Sequence, residues 1–181
     1  LLIGIFMRLE KKKLFDAYEG DEPYIFVSYK HDDRDKVYPI IKQFHDAGFH
    51  IWYDAHLEYG EYYADKIDEK IEGCSLFVVF LTENVIKNAE NPDEFMKIEL
   101  QTAKEEGRKF FPIFLDDVKL KRMYRSYLGG KQSIYRHEYG DDKKSFIEDC
   151  MTIFKDSFDL KPDNDIVVED STGIDDDGNN L

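Results

Sequence analysis

The feature that most constrains the fold of this chain is a regular alternation between two hydrophobic periods. Nearly continuous apolar runs, such as residues 24–29 and 76–81, are typical of strands that are covered on both faces. Between these runs, apolar residues recur at helical spacing, as they do over residues 37–44. Strands that alternate with helices pair in parallel through right-handed crossovers, with helices on both faces of the sheet. The sequence therefore predicts an α/β protein with a flavodoxin-like, open parallel sheet of about five strands.

Proline, glycine and acidic residues set the expected boundaries of the elements. Pro39 is tolerated only near the first turn of a helix, so the first helix is expected to begin close to Asp35 and to end before Gly48. A later helix is expected to begin at Pro92 and to end before Gly107, because proline and acids favour a first turn. The predicted strands are residues 24–29, 50–54, 76–81, 110–115 and 132–135, a polar loop covers 84–91, and further helices are marked by apolar positions within 64–71 and 146–154.

The two flanks differ in composition from the central part, residues 22–158. Residues 1–21 form a predicted helical extension, because apolar residues among lysines and glutamates indicate an amphipathic helix from Met7 to Tyr18. Residues 159–181 carry eight acids and one lysine, so this tail holds −7 of the formal net charge of −14. A segment so acidic and so poor in large apolar side chains cannot bury enough surface to fold, and it is predicted to be disordered.

The acidic balance and the two cysteines exclude several classes of partner and site. A net charge of −14 would repel nucleic acid and anionic membranes, so neither is an expected partner. The longest apolar run, residues 1–7, is far shorter than the roughly 20 residues that span a bilayer. Cys74 and Cys150 are too few for a disulfide framework or a four-ligand zinc site. Two buried free thiols are typical of a reducing cytosol, so a cytoplasmic location is expected.

Several common catalytic motifs are absent from the sequence. It contains no G-x-G-x-x-G, no G-x-x-x-x-G-K-[ST] and no G-x-S-x-G motif. The five histidines have no metal-ligand spacing, so no metal site is predicted, and they are interpreted as surface or strand-edge residues. A phosphoacceptor receiver domain is also flavodoxin-like and would use Asp32 and Asp33. It would need a further aspartate on the third strand, which ends at Thr82 without one.

Ligands of open α/β sheets bind beyond the carboxyl ends of the strands. In this chain that edge is expected to hold Tyr29, Lys30 and His31 after the first strand, residues 54–62 after the second, and the start of the helix at Phe95. These segments are rich in aromatic side chains and carboxylates. They suit a substrate with a flat ring and ribose hydroxyls better than a metal ion, because the acids are spread over separate loops.

Five motifs, in order and at natural spacing across residues 22–158, resemble those of bacterial-type TIR (Toll/interleukin-1 receptor) domains. Phe95-Met96-Lys97-Ile98-Glu99 is similar to the W-C-x-x-E helix motif of the family, with Phe for Trp and Met for Cys. The other four are F-V-S-Y at 26–29, I-W-Y-D at 51–54 with E-Y-G-E at 58–61, the third strand with its T-E-N exit at 76–84, and F-P-I-F-L at 111–115. The acidic tail lies outside the resemblance.

The resemblance implies that the chain cleaves the nicotinamide–ribose bond of NAD+, with Glu99 as the catalytic residue. Nicotinamide leaves as a neutral molecule, so a carboxylate that stabilises the ribosyl cation can act without a general acid. Helical spacing puts Phe95 one turn before Glu99, where its ring would flank nicotinamide. NAD+ is then the substrate, no cofactor is expected, and the product is linear or a cyclic ADP-ribose isomer. The other expected substrate-binding residues are Tyr29, Lys30, Asp54, Glu58 and Tyr62.

Without the family pattern, these residues have simpler interpretations. A Glu one turn after a Phe in a charged helix is usually a solvated surface acid, and Phe95 could equally pack inward. Asp54 could cap a turn, Trp52 is interpreted as a core residue, and Ser28 as a structural one. The family also contains assembly modules that act through TIR–TIR contacts without catalysis, which is the alternative function. Self-association is expected in either case, with the loop at 55–61 helping to build a composite site, and the expected setting is bacterial defence or signalling.

Overall fold

The centre of the protein is a parallel sheet, which we describe from a computed structural model. The structure describes residues 13–55, 61–87 and 94–163, without the side chains of residues 61, 62, 94 and 95. Its strands are β1 (Ile25–Ser28), β2 (Ile51–Tyr53), β3 (Leu76–Leu81), β4 (Phe110–Phe114) and β5 (Ile134–Tyr135). They lie in the order β2-β1-β3-β4-β5 and all pair in parallel. The predicted flavodoxin-like α/β fold is confirmed.

Helices cover both faces of this sheet. Among the described residues they are α1 (Arg34–Asp46), α2 (Glu61–Gly73), α3 (Glu83–Lys87), α4 (Glu94–Glu105), α5 (Arg122–Leu128) and α6 (Lys143–Phe158), with 3-10 turns at His31–Asp33 and Arg136–Tyr139. The apolar residues of α1 and α6 pack on one face, and those of α2, α3, α4 and α5 pack on the other. The result is a three-layer α/β/α arrangement.

Alternation along the strands divides the apolar residues between the two faces. In β1, Ile25 and Val27 belong to the core beneath α1 and α6, whereas Phe26 belongs to the core beneath α2 to α5. Trp52 is buried in this second core and stacks on Phe26 with ring centroids 4.8 Å apart, which confirms its interpretation as a core residue. Burial on both sides explains why the strands are nearly continuous apolar runs.

The helix boundaries agree with the proline and glycine signals. α1 begins at Arg34, one residue before the expected start, and Gly48 follows its end with a φ of 91°. Such a positive φ is open to glycine at little cost, which is why the chain can turn there towards β2. α4 ends at Glu105, and Gly107 follows with a φ of 65°.

Two helices, α3 and α5, were not predicted, and α3 lies within the predicted polar loop. Its first turn is fixed by side chains from outside the helix. The Glu83 N–H donates to Asp116 Oδ2 at 2.9 Å, and the Val85 N–H donates to Thr82 Oγ1 at 3.2 Å. Because Asp116 follows β4 in the chain, the contact that helps α3 to start is not visible in the local sequence.

The prediction of a helix from Met7 to Tyr18 is wrong for residues 13–18, the part that the structure describes. These residues run without helical turns along the edge strand β2. The N–H groups of Leu14 and Phe15 donate to the Tyr53 hydroxyl at 3.0 and 3.1 Å, and the Tyr18 N–H donates to the Ile51 carbonyl at 2.9 Å. Contacts with β2 replace the helical hydrogen bonds that the local pattern favours.

The acidic tail begins with residues that are packed, up to Asp163. Leu160 is only 3% exposed and belongs to the core beneath α1 and α6. The Asp163 N–H donates to the Gly48 carbonyl at 3.0 Å, and its carboxylate lies 2.7 Å from His50 Nε2. The predicted boundary at residue 159 is therefore a few residues too early, and residues 164–181 lie outside the described part. No helix in the described ranges is long and apolar enough to cross a bilayer.

Candidate functional site

The strand order reverses its direction at one place in the sheet. From β1 the sheet continues to β2 on one side and to β3 on the other, so the connections leave in opposite directions. Ligands of doubly wound sheets bind where the order reverses, beyond the carboxyl ends of these two strands. In this chain, Ser28 ends β1, and Thr82 follows β3 directly.

Glu99 reaches this edge from α4 and is buried there. On α4, Met96, Leu100 and Ala103 are buried against the sheet, and Glu99 lies one turn after Met96 on the same side of the helix. Its side chain is only 9% exposed, so the interpretation of this residue as a solvated surface acid is wrong. A buried carboxylate is costly unless it is hydrogen-bonded, and its burial therefore depends on donors.

Ser28 supplies one of these donors. Its hydroxyl donates to Glu99 Oε2 at 2.6 Å, and Ser28 itself is 1% exposed. Ser28 follows Phe26 by two residues in β1, so its side chain lies on the face of the sheet that α2 to α5 cover. The hydrogen bond joins residues that are 71 positions apart in the chain. It joins the carboxylate of α4 to the end of β1.

A second cluster surrounds Asp54, the first residue after β2. Its carboxylate accepts a hydrogen bond from the Tyr63 hydroxyl through Oδ1, and His31 Nε2 lies 3.4 Å from Oδ2. Its backbone carbonyl accepts a hydrogen bond from the Tyr29 hydroxyl at 2.7 Å. Asp54 thus joins the exits of β1 and β2 to α2 through its side chain. This arrangement involves more than the turn cap that the sequence alone allowed.

His31 was expected at this edge but was left out of the predicted substrate-binding residues, because all five histidines were interpreted as surface or strand-edge residues. Its ring is tilted over Tyr29, with centroids 5.1 Å apart, and it is mostly buried beside Asp54. The signal that could have identified it is its position three residues after the end of β1, at the edge where ligands bind.

Tyr29 and Lys30 follow Ser28, but their surroundings differ. Tyr29 belongs to the core beneath α1 and α6, on the other face of the sheet from Ser28. Burial, together with a hydrogen bond to Tyr38, raises the pKa of its phenol far above the usual range, so it is neutral. Its placement gives no support to a direct contact with substrate. Lys30 is mostly buried, with its Nζ 3.6 Å from Asp32 Oδ2, and its role towards substrate stays a prediction.

The remaining predicted site residues are described in part or not at all. Glu58 lies outside the described residues. Tyr62 lies in α2 and Phe95 lies in α4 one turn before Glu99, but their side chains are outside the described part. Their contacts with substrate stay predictions. Within the described ranges, no group of three or more histidine, cysteine or acidic side chains has the geometry to hold a metal ion.

Asp33, which a receiver domain would use, is engaged in a structural network. It is buried, and its Oδ2 accepts a hydrogen bond from the Thr82 hydroxyl at 2.6 Å. Its Oδ1 accepts a second from Asn84 Nδ2 at 2.7 Å. Both oxygens therefore hold the start of α1 against the exit of β3, which disfavours the receiver interpretation.

Comparison with known proteins supports the same fold. The model of the TIR domain family matches residues 25–151, well over half of the chain. Among solved structures, the chain is similar to the TIR domain of the Toll-related receptor TRR-2 from Hydra magnipapillata, with a TM-score of 0.57, 16% identity, and coverage of 72% of this chain and 97% of that one. None of the curated proteins matches the chain.

Two further structures are similar to the same extent. They are the TIR domains of the activated Roq1 resistosome that recognises the pathogen effector XopQ (TM-score 0.55, 15% identity, 72% and 98% coverage) and the RPS4–RRS1 TIR domain heterodimer (0.54, 13%, 76% and 99%). At these identities the likeness shows the shared fold alone.

Proposed function

The chain belongs to the TIR domain family, and we propose that it is an NAD+ glycohydrolase with Glu99 as its essential carboxylate. The observation that carries the proposal is the position of this group. Glu99 is buried at the switch point of the sheet, and its carboxylate accepts a hydrogen bond from the end of β1. A solvated surface glutamate would have neither property.

The reaction requires one anion, placed where it can stabilise the ribosyl cation. The bond between ribose C1′ and the nicotinamide nitrogen breaks, both electrons stay with nitrogen, and nicotinamide leaves neutral because it carried the positive charge beforehand. The positive charge moves to the ribosyl group, where a fixed carboxylate in a water-poor site stabilises it. Water then attacks C1′ and loses a proton, which gives ADP-ribose. Attack by a second atom of the same molecule in place of water would give a cyclic isomer.

We propose that Lys30, Asp54, Glu58, Tyr62 and Phe95 bind the substrate. In this proposal the Phe95 ring flanks nicotinamide, and Lys30 offsets the charge of the diphosphate. Asp54, held by Tyr63 and His31, forms the wall on the β2 side, together with Glu58 and Tyr62. Tyr29 acts indirectly, because its hydroxyl holds the Asp54 carbonyl.

The test is to incubate the purified protein with NAD+ and to separate the products by chromatography. Nicotinamide with ADP-ribose or a cyclic isomer should appear with the parent protein and fall by 100-fold or more with Glu99→Gln. The matched control is Glu105→Gln, an exposed position on the same helix whose carboxylate accepts only a local hydrogen bond from Gln101. Equal turnover in the parent and in Glu99→Gln would remove the proposal.

A second candidate function is assembly through contacts between copies, with or without catalysis. The observation that favours it is Ile98, the large apolar side chain in the described part that is exposed, at 50%. It lies on α4, the helix that carries Glu99, but on the outer side of the helix, whereas Glu99 faces the sheet. We propose that self-association and catalysis are linked in this protein, in the setting of bacterial defence or signalling.

The proposed location is the cytosol. Cys74 and Cys150 are both buried and free, and burial raises the pKa of the Cys74 thiol to about 12. Free cysteines are typical of a reducing compartment, which supports this location.

A further inference from the structure

Ser28 is the last residue of β1, the strand between β2 and β3, and its backbone position is fixed from both sides. It pairs with Val79 of β3, while Val27 before it pairs with Tyr53 of β2. A side chain at such a position has little freedom to move relative to the sheet. A group that binds the Ser28 side chain is therefore positioned precisely relative to the sheet.

The hydrogen bond from Ser28 to Glu99 has the geometry expected for a charged acceptor. At 2.6 Å from oxygen to oxygen, it falls in the range of about 2.5–2.7 Å that is typical of a hydroxyl and a carboxylate anion. Both residues are buried, so water competes little for either partner. A hydroxyl that donates to the anion favours the charged form and limits the orientations that the carboxylate can take.

We infer that Ser28 is a positioning residue for catalysis: its hydroxyl orients the Glu99 carboxylate and keeps it as an anion beneath the developing ribosyl cation. This inference rests on the proposed function. It differs from the sequence interpretation of Ser28 as a purely structural residue. Electrostatic stabilisation depends on groups that are already oriented before the reaction, so loss of the hydroxyl should weaken the chemical step more than substrate binding.

The protein contains a matched pair that serves as the control. Thr82 is also buried at the carboxyl end of a central strand, and its hydroxyl donates to the buried Asp33 carboxylate at the same distance, 2.6 Å. That pair lies towards α1, away from Glu99. Deletion of the Thr82 hydroxyl removes the same kind of bond and also the hydrogen bond that it accepts from the Val85 N–H. Thr82→Val should therefore perturb the fold at least as much as Ser28→Ala, and an effect on catalysis that follows Ser28 alone cannot come from general loss of stability.

The kinetic test compares Ser28→Ala with Thr82→Val in the full chain. For Ser28→Ala we expect kcat for NAD+ to fall about 10–100-fold with KM within about twofold, the loss typical of one hydrogen bond to a charged group. Thr82→Val should lower the melting temperature but leave kcat of the folded protein within about twofold. Ser28→Thr, which keeps a hydroxyl, should recover most of the lost kcat. A Ser28→Ala variant with the parent kcat, or with a loss confined to KM, would overturn the inference.

A spectroscopic measurement separates this inference from the proposed function. The carboxyl 13C resonance of Glu99, identified by its disappearance in Glu99→Gln, should move in Ser28→Ala and stay in place in Thr82→Val. If the parent protein does not turn over NAD+ and the resonance moves, the proposed function fails while Ser28 still orients Glu99. If the resonance does not respond to Ser28→Ala, the inference fails whatever the activity.

Discussion

Glu99 and Asp33 are two buried carboxylates at the same edge of one sheet, and each accepts a hydroxyl hydrogen bond of 2.6 Å from the end of a central strand. Their surroundings differ. Asp33 precedes α1, where an aspartate often caps the helix, yet its side chain makes no capping bond. Both of its oxygens are used by Thr82 and Asn84 to join α1 to the exit of β3.

Glu99 lies within α4, on the face of the sheet opposite to α1. Its carboxylate binds Ser28 at the end of β1. The difference teaches that a short hydroxyl–carboxylate bond does not by itself indicate a function. What distinguishes the two is the element that carries the acid and the loops that surround it. Asp33 holds together parts of the fold, whereas Glu99 is the acid of the helix motif and is proposed to face the substrate. Variants of the two acids can test this distinction.

The largest expected effect is on catalysis. Glu99→Gln should lower kcat for NAD+ by about 10²–10³, roughly 3–4 kcal/mol, because one preorganised charge facing the cation is lost. Asp33→Asn should leave kcat per folded molecule within about twofold. Initial rates at saturating NAD+, corrected for the folded fraction, measure both. Equal losses in the two variants would mean that the two carboxylates do not differ in function.

The free energy of unfolding should rank the two variants in the opposite order, with the larger loss in Asp33→Asn. Asp33→Asn replaces an acceptor by an amide that cannot accept from both Thr82 and Asn84, so a buried partner is left unsatisfied at a cost of about 1–3 kcal/mol. For a domain of this size that corresponds to a fall in melting temperature of about 2–4 °C per kcal/mol. Glu99→Gln should lose less, because the Gln carbonyl can still accept from Ser28. Urea denaturation of both variants checks the ranking, and a larger loss in Glu99→Gln would contradict it.

Sequence alone could predict the flavodoxin-like α/β fold, because it follows from hydrophobic periodicity. The resemblance of one helix motif singled out Glu99, whose role in catalysis stays a prediction. Sequence alone could not predict that Glu99 is buried or that Ser28 holds it, because that bond joins residues 71 positions apart. The same applies to His31 beside Asp54. Residues 13–18 have an amphipathic pattern, but their hydrogen bonds with β2 hold them in a non-helical conformation.

Association should depend on the exposed face of α4. Ile98→Lys replaces an exposed apolar side chain on this helix with a charge. Burial of half an isoleucine contributes about 1 kcal/mol or slightly more, so the concentration needed for association should rise about tenfold. Specific activity of the parent should increase with protein concentration, and the variant should show the same increase at higher concentration. Flat specific activity in the parent over a wide dilution series would argue for a self-contained monomeric site.

A smaller effect is expected from pH on the Asp33 side. Although burial raises the pKa of Asp116, the Glu83 N–H and the Lys36 ammonium together hold it below its usual range. A carboxylate with a lowered pKa stabilises the fold above its unfolded pKa of about 4, and this contribution is lost as the pH falls through the folded pKa. Because the side chain is one quarter exposed, the contribution should not exceed about 1 kcal/mol.

The measurement is the melting temperature of the parent and of Asp116→Asn as a function of pH. Asp116→Asn should be less stable near pH 7 and equal to the parent in acid, where the parent has lost the charge as well. If the difference in melting temperature between the parent and Asp116→Asn grew on acidification, the Asp116 carboxylate would not stabilise the fold in its charged form.

The smallest effect is expected at the carboxyl terminus. Truncation after Asp163 keeps the buried Leu160 and the contacts of Asp163 with Gly48 and His50. It removes only the acidic residues beyond them, whose composition cannot support a core. Melting temperature and NAD+ turnover should both stay within experimental error. A drop of several degrees would show that the tail contributes to the fold.

The contact between residues 13–18 and β2 has a consequence for how copies of this chain can meet. An exposed edge strand is a template for pairing with a strand from another molecule. Here the outer side of β2 is already occupied, since the Tyr18 N–H donates to the Ile51 carbonyl and Tyr53 binds the backbone of Leu14 and Phe15. A second copy cannot extend the sheet at this edge unless that segment is first displaced. Pairing of strands between copies is therefore blocked at β2, which leaves the β5 edge and the surfaces made of helices and loops.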